Sequence, residues 1–122
     1  MNILSQLCGS TVGYAQVKFP NALIGDWCSV SHEGERVDIA KSHLEEGDGA
    51  CTVKKLRSNR WDDSTTYELT MSCDKGVEGK KSVVVTERFS PLKMEGKQYM
   101  LRAGGMYNPK NLALYRQCDE HD

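Results

Sequence analysis

Residues 51–73 read Cys-Thr-Val-Lys-Lys-Leu-Arg-Ser-Asn-Arg-Trp-Asp-Asp-Ser-Thr-Thr-Tyr-Glu-Leu-Thr-Met-Ser-Cys, two polar-rich runs that start and finish on cysteine around a turn. In the second run Tyr67, Leu69, Met71 and Cys73 alternate with polar residues, the period of two that marks a strand with one buried face. Folding the segment into a hairpin centred on Asp62 sets Val53 opposite Met71 and Cys51 opposite Cys73, so the two sulfurs meet at its open end. The same register sets Lys55 against Leu69, a mismatch unless a β-bulge intervenes.

Working outward, the pattern stays β. Leu23–Val30 is a first strand, and Ser31–Glu35 turns the chain into Arg36–Ala40. Glu45–Gly49 breaks the chain before the Cys51–Leu56 strand, and Asn59–Ser64 reads as the loop before Thr66–Cys73. After a Gly-rich turn at 74–80, Ser82–Phe89 carries the strongest β-branched run, limited by Pro91. Lys97–Arg102 and Leu112–Cys118 form a last pair, and only Ile39–Glu46 could be a helical turn. Short strands at this spacing predict an all-β fold: a small antiparallel barrel or sandwich of about seven to eight strands, with closure removing unpaired edges.

Sixteen basic against seventeen acidic side chains leave a net charge of -1, so no overall basic field exists for general nucleic-acid binding. No stretch approaches the roughly 18 consecutive apolar residues that a membrane span requires. The cysteines, Cys8, Cys28, Cys51, Cys73 and Cys118, include no CxxC pair, which argues against a zinc knuckle or a thioredoxin-type motif. In so short a chain they point to an oxidising, secreted or periplasmic setting and two disulfides. With Cys51 and Cys73 paired by register, Cys28 is left to Cys118, although four cysteines allow two other connectivities. Residues 1–15 carry no charged side chain, and Gly13 and Ala15 stand at the small-residue positions of a signal-peptidase site. They read as a signal peptide, complete or truncated, that would take Cys8 with it, with residues 16–122 as the single barrel domain.

Gly25-Asp26-Trp27 is a GxW at the start of the first strand, and Arg116 lies near the end of the last. This combination resembles the calycin superfamily of antiparallel barrels, which includes lipocalins, avidins and a bacterial metalloprotease inhibitor family of similar size. The resemblance implies that Trp27 plugs the closed end of the barrel and that Arg116 packs over it with a cation–π contact. LIGDWC (23–28) with LYRQC (114–118) is also similar to small uncharacterised secreted bacterial proteins with a GxWC first strand. Strand parity sets a condition. Trp27 and Cys28 face opposite sides of a regular strand whereas Arg116 and Cys118 share one, so the Trp27–Arg116 contact and a Cys28–Cys118 bridge conflict without a bulge or a cysteine beyond the strand end. The disulfide takes precedence.

Catalytic chemistry finds no constellation. His32, His43 and His121 sit beside carboxylates in separate turns without an i, i+4 partner, and Glu45–Gly49 lacks the calcium-loop spacing. No serine stands in a G-x-S-x-G elbow, and Gly76–Ser82 has the wrong glycine spacing for a phosphate loop. Catalytic, cofactor and metal residues are therefore expected to be absent. The run from Lys54 to Trp61 reads as a solvated hairpin tip, with Arg57, Arg60 and Trp61 as candidate partner contacts. The expected function is a non-enzymatic binding protein for a small ligand or a secreted protein. The alternatives are an inhibitor of a secreted protease or other hydrolase, and an enzyme. Whether the barrel interior is open or filled decides between an internal ligand and a surface partner.

Overall fold

The computed structural model describes residues 17–47, 49–74, 82–104 and 112–119. The leader reading of residues 1–15, Cys8, His121 and, apart from Asp74, the glycine-rich turn at 74–80 lie outside the described residues. Eight strands follow a short 3-10 turn at Asn21–Leu23: β1 Gly25–Ser29, β2 Arg36–Ile39, β3 Leu44–Glu46, β4 Gly49–Trp61, β5 Ser64–Asp74, β6 Val83–Met94, β7 Lys97–Gly104 and β8 Leu112–Gln117. Each pairs antiparallel with the next, and β8 returns to β1, giving a closed eight-strand meander barrel. No helix among the described residues is long and apolar enough to cross a membrane.

Both expected disulfides are formed, Cys28–Cys118 and Cys51–Cys73. Their sequence separations of 90 and 22 residues would restrict the unfolded chain by about 4.6 and 3.4 kcal/mol in the chain-entropy account. The hairpin register holds from Ala50 to Val53, with Cys51 opposite Cys73 and Val53 opposite Met71. The expected mismatch is relieved by a register shift between Val53 and Lys55, which brings Leu56 opposite Leu69 and Lys55 opposite Thr70. Apolar faces apolar, and the cation moves to the outer face.

Several boundaries differ from expectation, beginning with the first strand, which spans Gly25–Ser29 and not Leu23–Val30 because Leu23 closes the 3-10 turn. Asn59–Trp61 is strand, because β4 and β5 close on the two-residue turn Asp62–Asp63 and stay paired through Trp61–Ser64. Asp62 takes the left-handed φ of 54° that such tight turns use. Pro91 does not end β6: it lies past Phe89, the last β6 residue paired with β5, where only β7 remains a neighbour and a missing N–H is tolerated. The helical turn allowed over Ile39–Glu46 is instead a turn, in which Ala40 N–H donates to His43 O, and the three-residue β3. Leu44 and Glu46 point inward from this strand, too short for propensity alone to reveal it.

The apolar core gathers at the end where β1 begins. Leu23, from the 3-10 turn, and Phe19 enter it beside Trp27, Val37, Leu44, Leu69, Met71, Phe89 and Met100. The Phe19 N–H donates to Lys41 O, tying the incoming segment to the β2–β3 turn. Trp27 is fully buried, and its indole N–H donates to Leu23 O at 2.9 Å.

Candidate functional site

Toward the other end the lumen turns polar. Arg102 on β7 is only 5% exposed, and it lies between Glu87 of β6 and Glu46 of β3. All five guanidinium N–H groups are engaged. Nε donates to Glu87 Oε1 at 2.6 Å. Nη2 donates to Glu87 Oε2 at 3.1 Å and to Glu46 Oε1 at 2.9 Å, and Nη1 donates to Glu46 Oε2 at 3.0 Å and to Tyr115 Oη at 3.4 Å. The guanidinium carbon also stands 5.5 Å from the centre of the Phe89 ring. Burial works against this cation, but the hydrogen bonds and charge of Glu87, then of Glu46, outweigh it and hold its pKa above the ordinary arginine value.

The backbone leaves room for this cluster. Gly104, opposite Glu87, has φ of 90°, and a Cβ there would stand 3.1 Å from Thr86 O. The cluster joins β3 to β6 and β7 across the lumen, so it acts as an internal cross-brace as well as a filling.

Tyr115 supplies a pH-dependent observable. Burial raises its phenol above the usual value near 10, with the positive charge of Arg102 opposing the shift. A raised folded pKa keeps the proton on in the folded state, so the stabilisation is complete below the unfolded value. It is lost as pH rises through the folded one. We expect stability to fall above about pH 10, and Tyr115→Phe to flatten that limb. Tyrosinate absorbance recorded alongside alkaline melts checks this; an unchanged limb in the variant would refute the assignment.

The residues singled out by sequence separate into three places. Trp27 lies inside the barrel. Arg116 is in register with Cys28, so it stands on the outer face and does not share a side with Trp27. Its guanidinium donates to Gln117 O at 3.1 Å and lies 3.8 Å from Asp119. The parity condition is met by Cys118 lying just past the end of β8. The arginine packed inside the barrel is thus Arg102, which strand alternation could have flagged: it falls on the inward parity of Met100.

Trp61, Arg60 and Arg57 come together at the third, the distal part of the β4–β5 hairpin. Every β4 residue from Lys54 to Trp61 is exposed, and Trp61 at the turn is 80% exposed. A cleft of about 740 Å³ lies elsewhere on the outside, between the β1–β2 loop and Arg116. Near it Arg36 binds Asp38 and reaches Asp26, whose carboxyl is raised chiefly by a hydrogen bond with Asp38. His32 and His43 are solvent-facing beside Glu35 and Glu45, and no group of three metal-ligating side chains converges among the described residues.

Geometry therefore defines a class: a small, disulfide-stapled meander barrel with an ion-braced interior and a projecting cationic hairpin. No protein-family model, curated protein or solved structure matches the chain.

Proposed function

We propose that this is a secreted or periplasmic, non-enzymatic binding protein that engages another secreted protein through its surface, with the β4–β5 hairpin as the contact. The observation that supports this reading is where the side chains are spent. Inside, Phe19, Trp27, Phe89, Met100 and the Arg102 cluster occupy the lumen, while a large aromatic and four cations are left in solvent on one ribbon. An exposed Trp flanked by Arg has the composition of an interface anchor. The two disulfides suit an oxidising compartment. Inhibition of a secreted hydrolase is the specific form this takes if the hairpin enters the target's cleft. The lumen-binding form is less favoured, because an internal ligand would have to displace packed side chains. Kinship with calycin barrels is also proposed, supported by the meander and by Trp27 against the 3-10 turn, and not by Arg116.

The test separates folding from binding. Trp61→Ala, alone and with Arg57→Glu and Arg60→Glu, should change stability by no more than about 0.5 kcal/mol. Against a partner captured from the secreted fraction by the unaltered protein, Trp61→Ala should weaken binding by about 2 kcal/mol, roughly thirtyfold. Undiminished capture by the triple variant would sink the reading.

A further inference from the structure

Beyond Cys51 the long β4 strand has a paired strand along only one of its sides among the described residues. β3 pairs with Gly49, Ala50 and Cys51, whereas β5 pairs along β4 as far as Trp61. Among the described residues no other strand or backbone hydrogen bond occupies the second side of Thr52–Trp61. The register shift after Val53 interrupts this edge, leaving Lys55–Trp61 as a regular stretch roughly 23 Å long at about 3.3 Å per residue. Because the hairpin closes on a two-residue turn, Trp61–Ser64 is the hydrogen-bonded flanking pair. Alternation then turns the N–H and C=O of Leu56, Ser58 and Arg60 toward the open side.

We propose that this edge binds an extended, acidic segment of a partner polypeptide by strand addition. Such an edge supplies main-chain affinity, while side chains beside it set specificity. Here they are cationic: Lys54, Lys55, Arg57 and Arg60 lie on β4, which carries no carboxylate from Gly49 to Trp61. Across the ladder from Lys55–Trp61 the only carboxylate is Glu68, opposite Arg57. An added strand with glutamate or aspartate at alternate positions places opposite charges side by side, a favourable cross-strand arrangement. A second copy is disfavoured, because an antiparallel β4–β4 pairing brings this cationic run against itself. Lysines and a bulge also guard exposed edges against self-association. The edge therefore admits an acidic strand and repels its own kind.

The proposal rests on the hairpin being the contact surface, and the experiment distinguishes the two. The full chain is titrated with a nine-residue peptide alternating glutamate and valine, with its lysine–valine counterpart, with a version carrying a central proline, and with oligothymidylate. The acidic peptide should bind at least tenfold more tightly than each of the others and slow amide exchange at Leu56, Ser58 and Arg60. Ser58→Pro removes an outward N–H from the edge without taking a ladder bond from β5, and should weaken that binding tenfold or more. If the variant melts lower, the exchange of the unaltered protein decides. Unslowed exchange, full binding by a folded Ser58→Pro, equal binding of the proline peptide, or tighter binding of the oligonucleotide would each overturn strand addition. If Trp61→Ala loses the secreted partner while Ser58→Pro keeps it, the edge proposal falls and the hairpin reading stands; if both variants keep it, both fall.

Discussion

Replacing Arg102 with methionine is expected to destabilise the barrel by about 3–5 kcal/mol, the usual cost of removing one partner from a buried ion cluster. The loss has a specific origin. Glu87 is 1% exposed and would keep its charge or its hydrogen-bonding need with no cation beside it, and Glu46, held by the same guanidinium, would lose the bond that ties β3 across the lumen. Methionine fills much of the arginine's volume, so the effect reports electrostatics more than cavity formation. Adding Glu87→Gln and Glu46→Gln should restore part of the stability, because neutral amides suffer less when buried without a cation. Urea melts of the single and combined variants, compared at constant slope, measure the difference. A methionine variant as stable as the parent would mean that the cluster is a filling without bracing value.

That cluster shows how far sequence carries and where it stops. Local alternation is enough for β5, where Tyr67, Leu69, Met71 and Cys73 share a face, and cysteine register is enough for the Cys51–Cys73 bridge and the need for a bulge. Closure into a barrel follows less directly. It needs β3, a three-residue strand whose alternation, Leu44 in and Glu46 in, is indistinguishable from loop polarity without its neighbours. In the sequence Glu46 falls within the Glu45–Gly49 break, and Glu87 and Arg102 are polar residues of the Ser82–Phe89 and Lys97–Arg102 strands. Their pairing joins residues 56 and 15 positions apart, a distance over which no local pattern reports. The sequence positions of Trp27 and Arg116 did not fix whether the two share a side: register puts Arg116 opposite Cys28, on the other face from Trp27, and the Cys28–Cys118 bridge is accommodated because Cys118 lies beyond β8.

The hairpin was half legible for a related reason. The cations and Trp61 marked an exposed tip, but polar composition read as a loop over Asn59–Ser64, whereas a solvated two-stranded ribbon has the same composition on both of its faces. What separates the two is the ladder, which continues from Lys55–Thr70 to Trp61–Ser64. A ribbon holds its backbone extended, and only an extended backbone offers an edge. The candidate contact thus changes from three side chains on a solvated tip to a paired strand that presents them at fixed spacing.

Trp27→Ala should cost about 3–5 kcal/mol, comparable with other large-to-small changes at buried aromatic sites. Two losses add. The indole has no exposed surface and lies among Leu23, Val37 and their neighbours, so its removal leaves a cavity at the end of the barrel closed by the 3-10 turn. Its N–H also holds Leu23 O, which would be left without that donor in a buried setting. Trp27→Phe keeps much of the volume and drops the hydrogen bond, so it should fall between the parent and alanine. Trp61→Ala is the internal control: the same chemical truncation at 80% exposure should leave the melt within about 0.5 kcal/mol of the parent. Fluorescence separates the two indoles without mutation, since the buried Trp27 should emit to the blue and resist quenching while Trp61 is quenched freely. A tolerated Trp27→Ala beside a strongly destabilised Trp61→Ala would reverse the roles, placing the structural tryptophan on the ribbon and the spare one in the barrel.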